Sequence, residues 1–241
     1  QSEAIRGARG LTLASLTRWL SALSKARKPH AALAVLLWMK TRGLDVNAIH
    51  YNATISAFEK VGRWEMAFHL LRSMRDSRVV AQTITYNASI SACARGGHWE
   101  QAATLLHNMD AVAVLRDTIT YNGAIAACAK AEKWERAVAQ FAEICQKGLQ
   151  RSTITYNTTM TACEKASQWT IAMALHAEMS SYQADTISYN SAISACSRAG
   201  RWQAALQLLE EMRRHSVEET VITCNAIVSS CEKAAQWETA L

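Results

Sequence analysis

From Trp99 onward, apolar residues fall at Trp99, Ala102, Leu105, Leu106 and Met109, the spacing of one buried helix face. Further upstream Tyr51, Ile55 and Phe58 keep the same period on another helix. Between such stretches stand stop signals such as Gly96-Gly97, which end a helix at about Arg95 and let the next begin near His98. The pattern predicts pairs of helices of about a dozen residues, the first of one pair running from about Thr83 to Arg95 and the second from about His98 to Met109.

The pairs repeat. Ile84-Thr85-Tyr86-Asn87 returns as Ile49-His50-Tyr51-Asn52, Ile119-Thr120-Tyr121-Asn122, Ile154-Thr155-Tyr156-Asn157, Ile187-Ser188-Tyr189-Asn190 and Ile222-Thr223-Cys224-Asn225. Successive Asn residues lie 35, 35, 35, 33 and 35 positions apart. Trp64, Trp99, Trp134, Trp169, Trp202 and Trp237 follow on the same beat. A fixed period in this range marks a stacked-repeat architecture. The units run 48–82, 83–117, 118–152, 153–185 and 186–220, after a degenerate unit 13–47 and before a partial one, 221–241. In 13–47, Leu16-Thr17 replaces Tyr-Asn and Pro29 replaces Trp. Residues 1–12 read as the tail of a preceding second helix, and Leu241 falls inside a helical pattern, so the natural protein is expected to be longer. The short unit loses its two residues between Met179 and Asp185, where its neighbours carry a loop. A Trp in every second helix suffices to seam neighbours together, since burying one is worth about 4–6 kcal/mol before entropy costs.

Composition narrows the function. Apolar residues make up 50% and charged ones 19%, which provides ample burial. The net charge of +6 leans towards a polyanionic partner. No apolar run approaches membrane-spanning length, and the first ten residues hold no signal-peptide core. Cys93, Cys128, Cys163, Cys196 and Cys231 share one repeat position that Phe58 fills earlier. A position that takes Cys or Phe is a packing position, so buried, reduced thiols are expected, which suits a reducing compartment. No C-x-x-C pair and no H-x-E element occurs, and the seven His fall at seven different repeat positions; neither metal nor catalysis is expected.

The first helix carries the functional signal. With Ile49 at zero on a helical wheel, Asn52, Ser56 and Lys60 lie within about 60° of it, while Tyr51, Ile55 and Phe58 lie at about 180–240°. The exposed face therefore joins an aliphatic, an amide, a small residue and a cation. The aliphatics are Ile49, Ile84, Ile119, Ile154, Ile187 and Ile222; the amides are Asn52, Asn87, Asn122, Asn157, Asn190 and Asn225. Ser21, Ser56, Ser91, Ala126, Thr161, Ser194 and Ser229 are the small residues. The cations are Lys25, Lys60, Arg95, Lys130, Lys165, Arg198 and Lys233. Single-stranded nucleic acid uses all of these, for base faces, base edges, chain clearance and phosphate. The alternative is that each Asn bonds nearby backbone and each cation serves a helix end.

The period, the Tyr-Asn phrase and the Ala and Met of the second helix resemble the pentatricopeptide repeat family over residues 13–241. Two departures are the missing Pro before the last residue of each unit and the Trp where the family commonly has an aliphatic. The resemblance implies an all-α, right-handed α-solenoid (superhelix) of helix-turn-helix repeats that binds single-stranded RNA, one base per repeat, in organellar RNA processing, stability or translation in mitochondrion or chloroplast. From the residues themselves no enzyme, no cofactor and no membrane insertion is expected. The other role open to such arrays is a scaffold binding protein subunits of an organellar assembly.

By the same resemblance the Asn and the last residue of its unit select the base, while aliphatic residues of adjacent units sandwich it. The pairs are Thr17/Asn47, Asn52/Gln82, Asn87/Asp117, Asn122/Ser152, Asn157/Asp185 and Asn190/Thr220, with Asn225 in the partial unit. They imply the target 5′-ANUCUY-3′. A plainer role is open to the second members, since Asn47, Asp117, Ser152, Asp185 and Thr220 are all good helix N-caps and Gln82 is a poor one.

Overall fold

The computed structural model describes residues 12–179 and 184–234. The proposed leading tail before Thr12, most of the shortened loop and Trp237 lie outside them. The described residues form thirteen α-helices and no strand. In chain order these are α1 (Leu13–Lys25), α2 (Pro29–Thr41), α3 (Ala48–Glu59), α4 (Trp64–Asp76), α5 (Thr83–Gly96), α6 (Trp99–Ala111) and α7 (Thr118–Lys130). There follow α8 (Trp134–Gln146), α9 (Thr153–Lys165), α10 (Trp169–Glu178), α11 (Thr186–Arg198), α12 (Trp202–Arg214) and α13 (Val221–Lys233). This is the expected alternation of first and second helices, all-α and repetitive.

The chain divides into two compact units, Gln1–Ala127 and Cys128–Leu241, the division falling inside α7. In the first, α1 packs on α3 and α3 on α5, so first helices stack on first helices. Each second helix packs on its own first helix and on the next one, as α4 does on α3 and α5. The second unit repeats this with α9, α11 and α13 stacked and α10 and α12 bridging them.

The cores follow. Tyr51, Ile55 and Phe58 of α3 bury against Leu70 and Met74 of α4 and Ala92 of α5. One repeat on, Tyr86, Ile90 and Cys93 bury against Leu105, Leu106 and Met109 and against Ala124 of α7. In the second unit Tyr189, Ile193 and Cys196 meet Leu208, Met212, Ile227 and Cys231. Each cluster therefore draws on two consecutive repeats, so a single helix pair cannot bury its apolar face alone.

Two expectations need correction. The Trp residues that open the second helices are half-buried rather than core. Standing at the first position of its helix, Trp64 packs across its own cluster and that of the next repeat while its outer edge meets solvent. The seam reading holds; full burial does not. Among the cysteines, the five at the shared position are buried, but Cys145 and Cys224 are exposed. All seven are free thiols. Burial pushes the Cys93 thiol up to about 12 and those of Cys128, Cys163 and Cys196 to about 11, so they pack as small apolar groups.

Helix turns end in left-handed residues at a fixed place. Gly62, Gly97 and Gly200 supply a positive φ after first helices, where Glu132 and Ser167 do the same without being glycine. At Gly97 the amide of His98 reaches back to the Cys93 carbonyl at 3.0 Å and that of Gly97 to Ala94, closing the last turn of α5.

Candidate nucleic-acid interface

The isoleucine of each Tyr-Asn phrase stands in solvent. Ile49, Ile84, Ile119, Ile154, Ile187 and Ile222 are 59–66% exposed, whereas the Tyr two positions on is at most 8% exposed wherever it occurs. A fully helical turn separates core and surface here as the wheel predicts, so six large aliphatics face water for no packing reason.

Beside their isoleucines, Asn87 and Asn190 each have an amide held by two partners. Asn87 Nδ2 donates to both carboxylate oxygens of Asp117, at 3.1 and 3.2 Å. An ionised carboxylate only accepts, so the amide nitrogen must face Asp117 and the oxygen must face away. That oxygen lies 2.6 Å from the Thr120 hydroxyl, which is also 2.8 Å from Asp117 Oδ1 and gives its single proton to one of them at a time. Asn157 Nδ2 reaches Asp185 in the same way, at 3.0 and 3.2 Å. Asn190 donates to the Thr220 hydroxyl at 3.1 Å and accepts from Thr223 at 2.5 Å. Asn52 accepts from Thr85 at 2.7 Å. The structure thus brings together the paired positions Asn87/Asp117, Asn157/Asp185 and Asn190/Thr220. Asn122 and Ser152 belong to different compact units, and Ser152 caps α9.

The last residues of the units are caps as well. Asp117 Oδ1 accepts from the Thr120 amide at 2.8 Å, Asp185 from Ser188 at 2.9 Å, Ser152 from Thr155 at 3.3 Å and Thr220 from Thr223 at 3.4 Å. Asn47 caps α3 through the amide of Ile49 at 3.1 Å. In Asp117, Asp185 and Thr220, capping and pairing with Asn occur in the same side chain. For Asp117, burial alone would raise the carboxyl, but hydrogen bonds from the Thr120 amide and hydroxyl and from Asn87 outweigh it and hold it below its usual value.

The third partner in this arrangement was not singled out by sequence. It is the residue two before each Asn: His50, Thr85, Thr120, Thr155, Ser188 and Thr223, all buried. Its side chain accepts from the backbone amide of the cap residue, closing a capping box. At Asn52, Asn87 and Asn190 its hydroxyl also orients the preceding unit's amide. The signal was the invariably polar residue inside an otherwise apolar phrase. Ser188 departs from this role: its hydroxyl donates to the Asp185 carbonyl at 2.7 Å, and Asn157 Oδ1 stays buried without a partner.

In the degenerate first unit the same geometry is built from other groups. His50 Nδ1 accepts from the Asn47 amide at 3.1 Å, so Nε2 carries the proton and donates to Thr17 Oγ1 at 3.1 Å. Thr17 passes its own proton to the Leu13 carbonyl at 2.9 Å. Burial keeps His50 below its ordinary pKa despite the opposing charge of Asp45, which suits this neutral tautomer.

The cations are more tethered than their ridge suggests. Lys60 Nζ donates to the Ser24 carbonyl at 3.1 Å, and Lys233 Nζ to the Ser197 carbonyl at 3.3 Å, each serving the end of the preceding first helix. Arg198 lies 3.7 Å from Glu164. Lys25 and Lys165 stand exposed beside the same face. Among the described residues no group of three His, Cys, Asp or Glu side chains could hold a metal ion, and no helix is long and apolar enough to cross a membrane.

A repeat of this kind is recognisable outside this chain. A family model described as "Pentatricopeptide repeat-containing protein" matches residues 17–144, "PPR repeat" matches 154–183 and "PPR repeat family" matches 184–233. No curated protein matches the chain. Among solved structures it resembles the pentatricopeptide repeat protein PPR10 from maize, at 24% identity and a TM-score of 0.74 over 96% of this chain and 34% of that one. PPR10 in complex with an 18-nt psaJ RNA element matches at 23% identity and a TM-score of 0.65, over 97% of this chain and 33% of that one. The PPR domain of Arabidopsis thaliana protein-only RNase P 1, in complex with tRNA, matches at 12% identity and a TM-score of 0.55, over 94% and 98%. The chain spans about a third of the length of PPR10. With its Tyr-Asn helix pairs and more than half of its sequence matched by one family model, the chain belongs to the pentatricopeptide repeat family.

Proposed function

We propose that this chain binds single-stranded RNA sequence-selectively, one base per repeat, in organellar RNA processing, stability or translation. One observation carries the reading: an exposed isoleucine stands beside an Asn amide whose nitrogen is hydrogen-bonded to the last residue of the same unit. That residue is the one the family uses with Asn to select a base. The RNA-bound relatives support it at the level of the fold.

The chemistry of each pair follows from its donors and acceptors. Asn87 Nδ2 keeps one proton beyond its bond to Asp117, and Asp117 keeps free lone pairs. A donor beside an acceptor complements the carbonyl and N–H edge of uracil. A hydroxyl in place of the carboxylate can instead donate to the ring nitrogen of cytosine. Exposed Ile84 and Ile119 offer apolar faces on which such a base is held. The pairs inside the first compact unit read 5′-A-N-U-3′, and Asn157/Asp185 and Asn190/Thr220 in the second read U and a pyrimidine.

Selection of bound sequences from a random single-stranded RNA pool tests this. The reading expects enrichment of 5′-ANUCUY-3′; retention of double-stranded RNA in preference to single strands, or a pool with no enriched position, overturns it.

A further inference from the structure

Every repeat Tyr with its ring under the second helices has a group docked on it except one. Lys40 Nζ sits 5.5 Å from the Tyr51 ring centroid and donates to Ser73 Oγ at 2.8 Å. Arg116 lies 5.7 Å from the Tyr121 ring and donates to its hydroxyl at 3.3 Å and to the Leu106 carbonyl at 3.1 Å. Arg151 stacks at 4.1 Å on Phe141, which packs edge-on against Tyr156. Tyr189 bonds His215 at 2.7 Å and packs against His176. Tyr86 has no such bond or ring contact among the described residues; only the charge of Arg75 reaches it.

The sequence explains the difference. Arg116 and Arg151 occupy the position before the last residue of their units, where Ala81 stands in unit 48–82. A methyl cannot plug the groove, and Arg75, where Lys40 stands one repeat earlier, remains exposed. What is left is an open cavity of about 760 Å³ between α4 and α6, inside the first compact unit, with Tyr86 in its lining. Arg72, Arg75 and Arg78 line it together with the walls Val79, Val80 and Val112, and no lining residue is acidic. Val80 is 75% exposed and Val112 57% exposed. The cavity adjoins the side of α5 opposite Ile84, away from the base-reading face.

We propose that this cavity binds an acidic, aliphatic peptide segment of a partner protein. Carboxylates of the segment pair with the guanidinium groups of Arg72, Arg75 and Arg78, whose planar forks match them two bonds at a time. An aliphatic side chain of the segment covers Val80 and Val112, and the Tyr86 hydroxyl donates to a carboxylate or carbonyl. Charge alone would equally suit a phosphate chain, but Val79, Val80 and Val112 give the cavity aliphatic walls, Tyr86 is buried, and His69 is the one exposed ring of the lining, which gives aliphatic side chains more surface than bases. The peptide is therefore the occupant that the lining favours.

Anisotropy of a short fluorescein-labelled peptide alternating glutamate and leucine tests the site directly. Saturable binding is expected, weakened about tenfold by Arg75→Gln, the loss of one charge-assisted contact. Ala81→Arg, which restores the plug of the sister repeats, should abolish it while circular dichroism stays unchanged. An unlabelled 5′-ANUCUY-3′ oligomer should not displace the peptide. Absence of saturable binding overturns the proposal. So does equal binding of an all-glutamine–leucine analogue, affinity unchanged in both variants, or displacement by the RNA, which would assign these arginines to nucleic acid instead.

Discussion

Asn87 and Asp117, 30 residues apart, are joined by a forked hydrogen bond from one amide nitrogen to two carboxylate oxygens. The same carboxylate caps α7 through the amide of Thr120, so the side chain proposed to read a base is fixed by the helix it starts. A rigid cap is a good place for recognition, because little freedom is left to lose on binding. In this proposal selectivity and folding share atoms at Asp117.

His50 makes the first unit sensitive to acid. Its folded pKa lies below its unfolded one, so between the two the unfolded chain binds more protons and stability rises with pH. The stabilisation is fully present above about 6.5, the unfolded value, and is lost as pH falls through the folded one. Protonation would place a proton on Nδ1 against the Asn47 amide and open the capping box. Melting temperature should fall more between pH 7.5 and 5.5 for the wild type than for His50→Gln; equal falls would contradict the assignment.

Lys60 decides between helix-end and phosphate roles. Its ammonium is already bonded to the Ser24 carbonyl, yet it remains a cation on the isoleucine face. For about five phosphate contacts, the log–log slope of affinity against salt should be near −3.5, at roughly −0.7 per contact. Lys60→Gln should make that slope shallower by about 0.7 if the side chain reaches phosphate. A slope unchanged by the substitution would leave Lys60 as a cap only.

Trp64→Ala should destabilise the first compact unit by about 3 kcal/mol, the low end for such truncations because the ring is half-buried. The loss should spread to both repeats whose clusters the ring touches, since nearest neighbours carry the stability of such arrays. A urea titration measures it. A change below about 1 kcal/mol would show that Trp64 is a surface residue and not a seam.

Much of this structure was readable in the chain because repetition multiplies weak signals. One exposed isoleucine such as Ile84 means nothing alone; six in register with Asn mark a surface kept for something other than packing. Helix bounds came within a residue or two, as at α5, which continues through Gly96. Other features could not be read. Glu132 and Ser167 take left-handed conformations where propensity points to glycine, because the packing of the helix pair fixes the turn. The burial of Trp64 depends on which side of the helix start the next repeat covers. The Thr85, Thr120 and Thr223 hydroxyls read as ordinary helix-start residues until the preceding unit's Asn is seen bonded to them. The cavity beside Tyr86 arises from what Ala81 leaves unfilled, a difference visible only against the filled grooves.

The most direct measurement is the relative affinity of wild type and Asp117→Ser for two RNA oligomers, 5′-ANUCUY-3′ and the same sequence with C in place of its first U. Serine caps a helix about as well as aspartate, so stability should hardly change. Wild type should favour U at that base by roughly 1–3 kcal/mol, the usual scale for edge recognition. The variant, with a hydroxyl where the carboxylate was, should favour C there and leave the other positions as they were. A U-to-C ratio that is the same in both proteins would make Asp117 a helix cap alone and contradict base reading by the Asn87/Asp117 pair.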